Sequence, residues 1–142
     1  MSKYDCLKLE NQLCFPLYVC SKEIVRKYKP FLDELDITYT QYITLMALWD
    51  KGALSVKELG KQLYLDSGTL TPLLKTLESK GFVARARDKE DERNLIVSLT
   101  DAGMKLRERA LDIPAKMGAC LNIKPEDAAE LYRILHTLMN DI

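Results

Sequence analysis

Four cysteines, Cys6, Cys14, Cys20 and Cys120, offer the most reactive chemistry in this chain. A thiolate is both a nucleophile and a metal ligand. Metal binding is the first use to set aside. Structural zinc sites need cysteine and histidine pairs at short spacings. There is no CxxC pair, and His136 is the one histidine. Cys14 and Cys20 are six residues apart, which puts them about 240° apart around a helix, so they diverge. No metal and no cofactor is expected. Two uses then stand open: small buried hydrophobes, or one or two reactive thiols. Cys20 lies on an apolar stripe and is expected in the core. Cys6 lies in a terminus expected to fray. Phenol donors and helix N-termini stabilise a thiolate, and Tyr18 sits four residues on from Cys14, on the same helical side.

The remaining composition bounds the context. The chain has 142 residues, enough for one domain, with 47% hydrophobic and 30% charged residues. No apolar run approaches the roughly 18 residues needed to span a bilayer. Residues 1–10 lack a signal pattern, so a cytoplasmic location, no membrane partner and reduced thiols are expected. Lys plus Arg and Asp plus Glu both number 21, giving zero formal net charge. That excludes a basic nucleic-acid coat and an acidic disordered tail. It does not exclude sequence-specific DNA binding, which depends on local charge.

Hydrophobic spacing then supplies the elements that must position these residues. Leu9, Leu13, Leu17, Cys20, Ile24, Tyr28, Phe31 and Leu35 recur at intervals of three and four, predicting a long first helix. Pro16 predicts a bend or a late start near Cys14. Thr40 is expected to cap a second helix carrying Ile43, Met46, Ala47 and Trp49 inward, ended by Gly52. Ser55-Val56-Lys57-Glu58 is a capping-box pattern opening a short helix. After Tyr64-Leu65-Asp66, a further helix buries Leu70, Leu73, Leu74 and Leu77 and stops at Gly81. Two short helices joined by a tight turn predict a helix-turn-helix. The second has an outward face of Gly68, Pro72, Lys75 and Ser79, flanked by Ser67, Thr69, Thr71 and Thr76. Small hydroxylated residues and a lysine suit phosphates and base edges; a solvated polar face is the plain alternative.

Residues 82–87 and 95–99 predict a β-hairpin with a polar tip at 88–94. A hairpin directly after a reading helix is a wing. Arg85, Arg87 and Arg93 are expected to face DNA, with Arg93 suited to a narrow minor groove. Between Ser55 and Thr100 there are 8 basic and 7 acidic residues, a surplus of one. Binding must therefore rest on positioned arginines and helix ends. Thr100 to Gly103 caps a fifth helix, continued through Ile113 and Met117 with a kink at Pro114. Pro125 starts a last helix with Ala128, Leu131, Leu135, Leu138 and Met139 on one face. The fold class is mainly α with a small β-hairpin wing. Residues 38–100 form the winged helix-turn-helix, and 1–35 with 101–142 form a helical dimerisation region. Two half-sites about one turn apart on double-stranded operator DNA favour a homodimer.

Asp91-Glu92-Arg93, Leu95 to Leu99 and Thr100-Asp101-Ala102-Gly103, within this helical order, resemble the MarR family over essentially the whole chain. Asn11-Gln12-Leu13-Cys14-Phe15-Pro16-Leu17-Tyr18, Thr38 to Trp49 and Leu65 to Lys75 resemble its peroxide-sensing OhrR/MgrA-type branch. The resemblance implies a MarR-like homodimeric repressor that leaves palindromic DNA when one cysteine is oxidised by an organic hydroperoxide. It implies Cys14 as the sensor and Tyr28 and Tyr39 as phenols that hydrogen-bond its thiolate across the dimer. It also implies Cys120 as a resolving thiol, with a low-molecular-weight thiol such as bacillithiol or cysteine as the alternative. Pro16 departs from the branch pattern, which bears on how Cys14 meets its tyrosines; Pro72 does not depart. Two other readings compete. One is the same fold released by a small aromatic or phenolic ligand without oxidation. The other is a thiol peroxidase, against which no acid–base constellation surrounds Cys14; the expectation is that the chain is not an enzyme.

Overall fold

A computed structural model describes residues Met1–Ile142. The chain falls into two compact units, Met1–Leu111 and Asp112–Ile142.

In the first unit, two 3₁₀ turns at Asp5–Leu7 and Leu9–Asn11 precede α1, Cys14–Asp33. The amides of Asn11 and Gln12 donate to the carbonyls of Asp5, Cys6 and Lys8 at 2.7 to 2.8 Å. Those bonds order the segment that was expected to fray. The late start predicted for α1 is present. Pro16 is the helix's third residue, where its missing N–H has no intrahelical partner to lose. The interior proline is instead Pro30, near the other end.

Asp36, with a left-handed φ of 56°, closes α1, and the Ile37 N–H returns to the Leu32 carbonyl at 3.2 Å. Helix α2, Tyr39–Lys51, is capped by Thr38 and not by Thr40: Thr38 and Gln41 form a reciprocal capping box. Its buried face is Gln41, Tyr42, Thr44, Leu45, Ala47 and Leu48, whereas Met46 is exposed and Ile43 and Trp49 are half-buried. The predicted stripe was rotated: it took Ile43, Met46 and Trp49 and left out Tyr42, Leu45 and Leu48 together with two polar residues, Gln41 and Thr44. Both are satisfied locally: Thr44 Oγ1 donates to the Thr40 carbonyl at 2.7 Å, and Gln41 completes the cap.

The helix-turn-helix follows as α3, Val56–Leu63, and α4, Ser67–Ser79. Ser55 caps the first and Asp66 the second, each accepting an N3 backbone N–H. Leu59, Leu70, Leu74 and Leu77 are fully buried, with Leu73 close behind. Tyr64, also left-handed, makes the turn between the helices.

The wing consists of β2, Val83–Arg87, and β3, Leu95–Leu99, paired antiparallel. A two-residue strand, β1 at Leu54–Ser55, adds to the other edge of β3, giving the order β1-β3-β2. Strand β1 was not predicted, since two residues carry no alternation to read. Gly81, at φ 83°, turns the chain from α4 into β2.

Helix α5, Asp101–Ala110, is capped by Thr100. A Cβ at Gly103 would stand 2.1 Å from the Phe82 carbonyl oxygen, so only glycine fits there. The Trp49 indole N–H donates to the Gly103 carbonyl at 2.9 Å, fastening α2 to α5.

The second unit contains α6, Ile113–Cys120, and α7, Pro125–Asn140. The fifth helix expected to kink at Pro114 is in fact two helices. Proline at the second position of α6 cannot donate back into the preceding turn, so it starts a new helix. Ile113 and Met117 are buried, whereas α7 has no buried residue.

Candidate functional site

Cys14 is the first residue of a 20-residue helix, and its side chain is exposed. The N-terminal end of a helix favours negative charge, because its first N–H groups have no carbonyl partners. The Asn11 and Gln12 amides, by holding the two turns just before it, fix where that end begins. The departure at Pro16 therefore leaves α1 intact from Cys14 onward.

Tyr28 and Tyr39 meet at 4.9 Å between ring centroids, and Tyr42 joins both at 5.7 and 6.2 Å. Burial raises the pKa of all three phenols above the usual value, with their mutual repulsion adding to it at Tyr28 and Tyr42. They stay protonated and able to donate a hydrogen bond at neutral pH. Within one chain none of them bonds the Cys14 sulfur, and Tyr18 is exposed beneath the Lys22 ammonium. Tyr42 was not among the residues singled out from the sequence; its three-residue spacing from Tyr39, which puts the two side chains on one helical side, was the available signal.

Cys20 is exposed, which corrects its assignment to the core. The apolar stripe of α1 is graded: Leu13, Phe15 and Leu17 are exposed, Ile24, Tyr28 and Phe31 half-buried, and Leu32 buried. Cys6 is exposed, and its thiol donates to the Lys3 carbonyl. Cys120 ends α6 and is exposed.

On the reading helix, Ser67, Thr69, Pro72 and Lys75 are exposed and Thr71 is half-buried. Pro72 has no N–H to return to the Gly68 carbonyl. Asp66 accepts the Thr69 N–H at 2.7 Å, which lowers its carboxyl pKa below the usual value. Lys57 and Lys61 lie beside Ser67 along one groove between α3 and α4. They were missed; their four-residue spacing on the polar side of a capped helix was the signal.

The wing arginines separate by register. Arg85 faces Val97 and Arg87 faces Leu95, so both share the face of buried Val83. Arg85, only 17% exposed, is held 3.1 Å from Glu78 on α4, whose other carboxylate oxygen accepts the Arg85 backbone N–H. In the free chain the Arg85 guanidinium is thus turned to Glu78, where it braces the wing against α4. Arg87, nearer the tip, is exposed. Arg93 is 88% exposed at the tip, and Asp91 holds its guanidinium by two bonds of 3.0 Å.

A family model for SarA/Rot transcriptional regulators matches residues 26–110. The organic hydroperoxide resistance transcriptional regulator of Bacillus subtilis (strain 168) is 49% identical over 141 residues, spanning 99% of this chain and 96% of that protein. The HTH-type transcriptional regulator SarZ of Staphylococcus aureus (strain USA300) is 46% identical over 132 residues, spanning 93% of this chain and 89% of its own. Among solved structures, reduced AbfR bound to DNA superposes with a TM-score of 0.80 at 36% identity, covering 99% of this chain and 98% of that one. No helix is long and apolar enough to cross a membrane. With its winged helix-turn-helix in place, the chain belongs to the MarR-like SarA/Rot family of DNA-binding transcriptional regulators.

Proposed function

We propose that this regulator is a homodimeric repressor whose grip on palindromic operator DNA is released when an organic hydroperoxide oxidises Cys14. The observation that carries the reading is an exposed thiol at the first position of α1, in a chain that also gathers Tyr28 and Tyr39 as protonated phenols. The hydroperoxide regulator that is 49% identical supports the choice of oxidant.

The Cys14 thiolate attacks the terminal peroxide oxygen. An S–O bond forms, the O–O bond breaks, and the alkoxide leaves and takes up a proton as the alcohol. Sulfur gives up two electrons and the peroxide receives them. A second thiol then attacks the sulfenic sulfur, forming a disulfide and releasing water. That thiol is Cys120 of the partner subunit or a small cellular thiol. Tyr28 and Tyr39 donate hydrogen bonds to the sulfur anion from the other subunit. Residues 38–100 bind DNA through Ser67, Thr69, Thr71, Pro72, Lys75, Arg87 and Arg93, and residues 1–35 and 101–142 form the dimer.

A palindromic promoter fragment is titrated with protein before and after cumene hydroperoxide, using wild type and Cys14→Ser. Release of wild type alone is the expected result. Equal release of Cys14→Ser sinks the redox reading and favours release by a ligand. A cavity of about 310 Å³ lined by Val25, Arg26, Lys29, Leu32, Ile37 and Tyr39 supports that second reading. Mass spectrometry of the oxidised protein identifies the thiol paired with Cys14. Cys120→Ser removes the intersubunit crosslink on non-reducing gels if Cys120 resolves.

A further inference from the structure

One side chain ties the end of the reading helix to the segment that carries Tyr39. Lys80 is the C-cap of α4. Its ammonium donates to the Asp36 carbonyl and to Gln41 Oε1 at 3.4 Å, and lies 3.9 Å from the Asp36 carboxylate. These contacts span 44 and 39 residues of sequence. An unconstrained lysine keeps its ammonium in water; this one is only 25% exposed.

The acceptors belong to a built junction. Asp36 occupies the left-handed region, uncommon for a residue with a Cβ, and there it turns the chain from α1 toward α2. Gln41 is buried, and its Oε1 also accepts the Thr38 N–H at 3.0 Å. Tyr39 is the first residue of α2, enclosed between Thr38 and Gln41. The same end of α4 has a second polar attachment: Thr100 donates its hydroxyl to the Gly81 carbonyl and its N–H to that of Phe82. The N-terminal end of α4 has only its local cap, Asp66.

The geometry points to Lys80 as a positioning residue that couples the tyrosine cluster to the reading helix. A shift of Tyr39 moves the Thr38–Gln41 cap, the cap moves the acceptors of Lys80, and Lys80 carries the displacement into α4. The origin of the signal rests on the redox reading above; the tie itself does not.

The test compares wild type, Lys80→Met and Lys80→Arg by two measurements on the full-length protein. Amide hydrogen exchange by NMR on reduced protein reads the tie. Lys80→Met is expected to speed exchange at Thr38 and Gln41 at least tenfold, and Lys80→Arg to restore it. DNA affinity before and after cumene hydroperoxide reads the coupling. Reduced Lys80→Met is expected to bind within threefold of wild type while its peroxide-driven loss of affinity shrinks at least tenfold. Unchanged exchange at Thr38 and Gln41, or release of Lys80→Met as complete as wild type, overturns the proposal. A wild type that peroxide does not release overturns the redox reading instead, and the exchange comparison still decides the tie.

Discussion

Helices α4 and α7 make opposite use of an apolar stripe. In α4, Leu70, Leu73, Leu74 and Leu77 are all buried. In α7, Leu131, Ile134, Leu138 and Met139 are exposed, and the helix has no buried residue. The first half of α1 resembles α7, with Leu13, Phe15 and Leu17 exposed. Both kinds of helix are amphipathic, so the pattern itself does not separate them. The DNA-reading region completes its core inside one chain. The helices at either end of the chain leave apolar surface uncovered, which supports the homodimer proposed above.

The largest effect should come from charging the uncovered stripe. Leu131→Asp with Leu138→Asp is expected to yield monomer in sedimentation velocity and to weaken operator binding by about a thousandfold, since two linked half-sites become one. Fold content by circular dichroism should be kept. A dimer that survives both changes breaks the comparison.

Leu74→Ala tests the other side. The side chain is fully buried, so removing it should cost about 2–5 kcal/mol in urea unfolding. That cost should be equal at every protein concentration. Leu138→Ala should instead act through association, with a stability loss that shrinks as concentration rises.

Arg93→Ala comes next, with operator affinity reduced roughly tenfold and the dimer unchanged. Unaltered affinity would remove the wing tip from the interface. Arg85→Met should differ in kind. It frees Glu78, and its effect on DNA binding is expected to pass through the angle of the wing, so faster amide exchange across β2 should accompany any loss.

The smallest effect is alkaline. Burial raises the phenol pKa values of Tyr28, Tyr39 and Tyr42, so the folded state holds these protons more tightly than the unfolded chain. Their contribution is complete below about pH 10 and is lost as pH rises from there through the folded values. Tyr42→Phe should flatten that decline in a thermal-melt series. The carboxyls move the other way: Asp66, Glu78 and Asp91 are lowered by their hydrogen bonds, so their contributions fade as pH falls below about 4.

Much of the molecule was legible from residue order because its determinants are local. Caps at Ser55, Asp66 and Thr100 rest on bonds three residues apart, and the leucines of α4 and the alternating strands on patterns of short period. Asn11 to Tyr18 carried Cys14, and Thr38 to Trp49 carried Tyr39. The inward face of α2 was misread because that helix is apolar on most sides, so spacing alone did not separate Tyr42, Leu45 and Leu48, which are buried, from Met46, which is exposed.

The caps of α3, α4 and α5, the buried leucines of α4 and the two hairpin strands were written in the sequence, since period and caps are properties of short windows. Only the tertiary structure decided that Arg85 braces the wing, that Tyr42 joins Tyr28 and Tyr39, that Cys20 is exposed and that Lys80 reaches Asp36 and Gln41. Those facts depend on strand register and on contacts between residues far apart in the chain, which packing fixes and no short window contains.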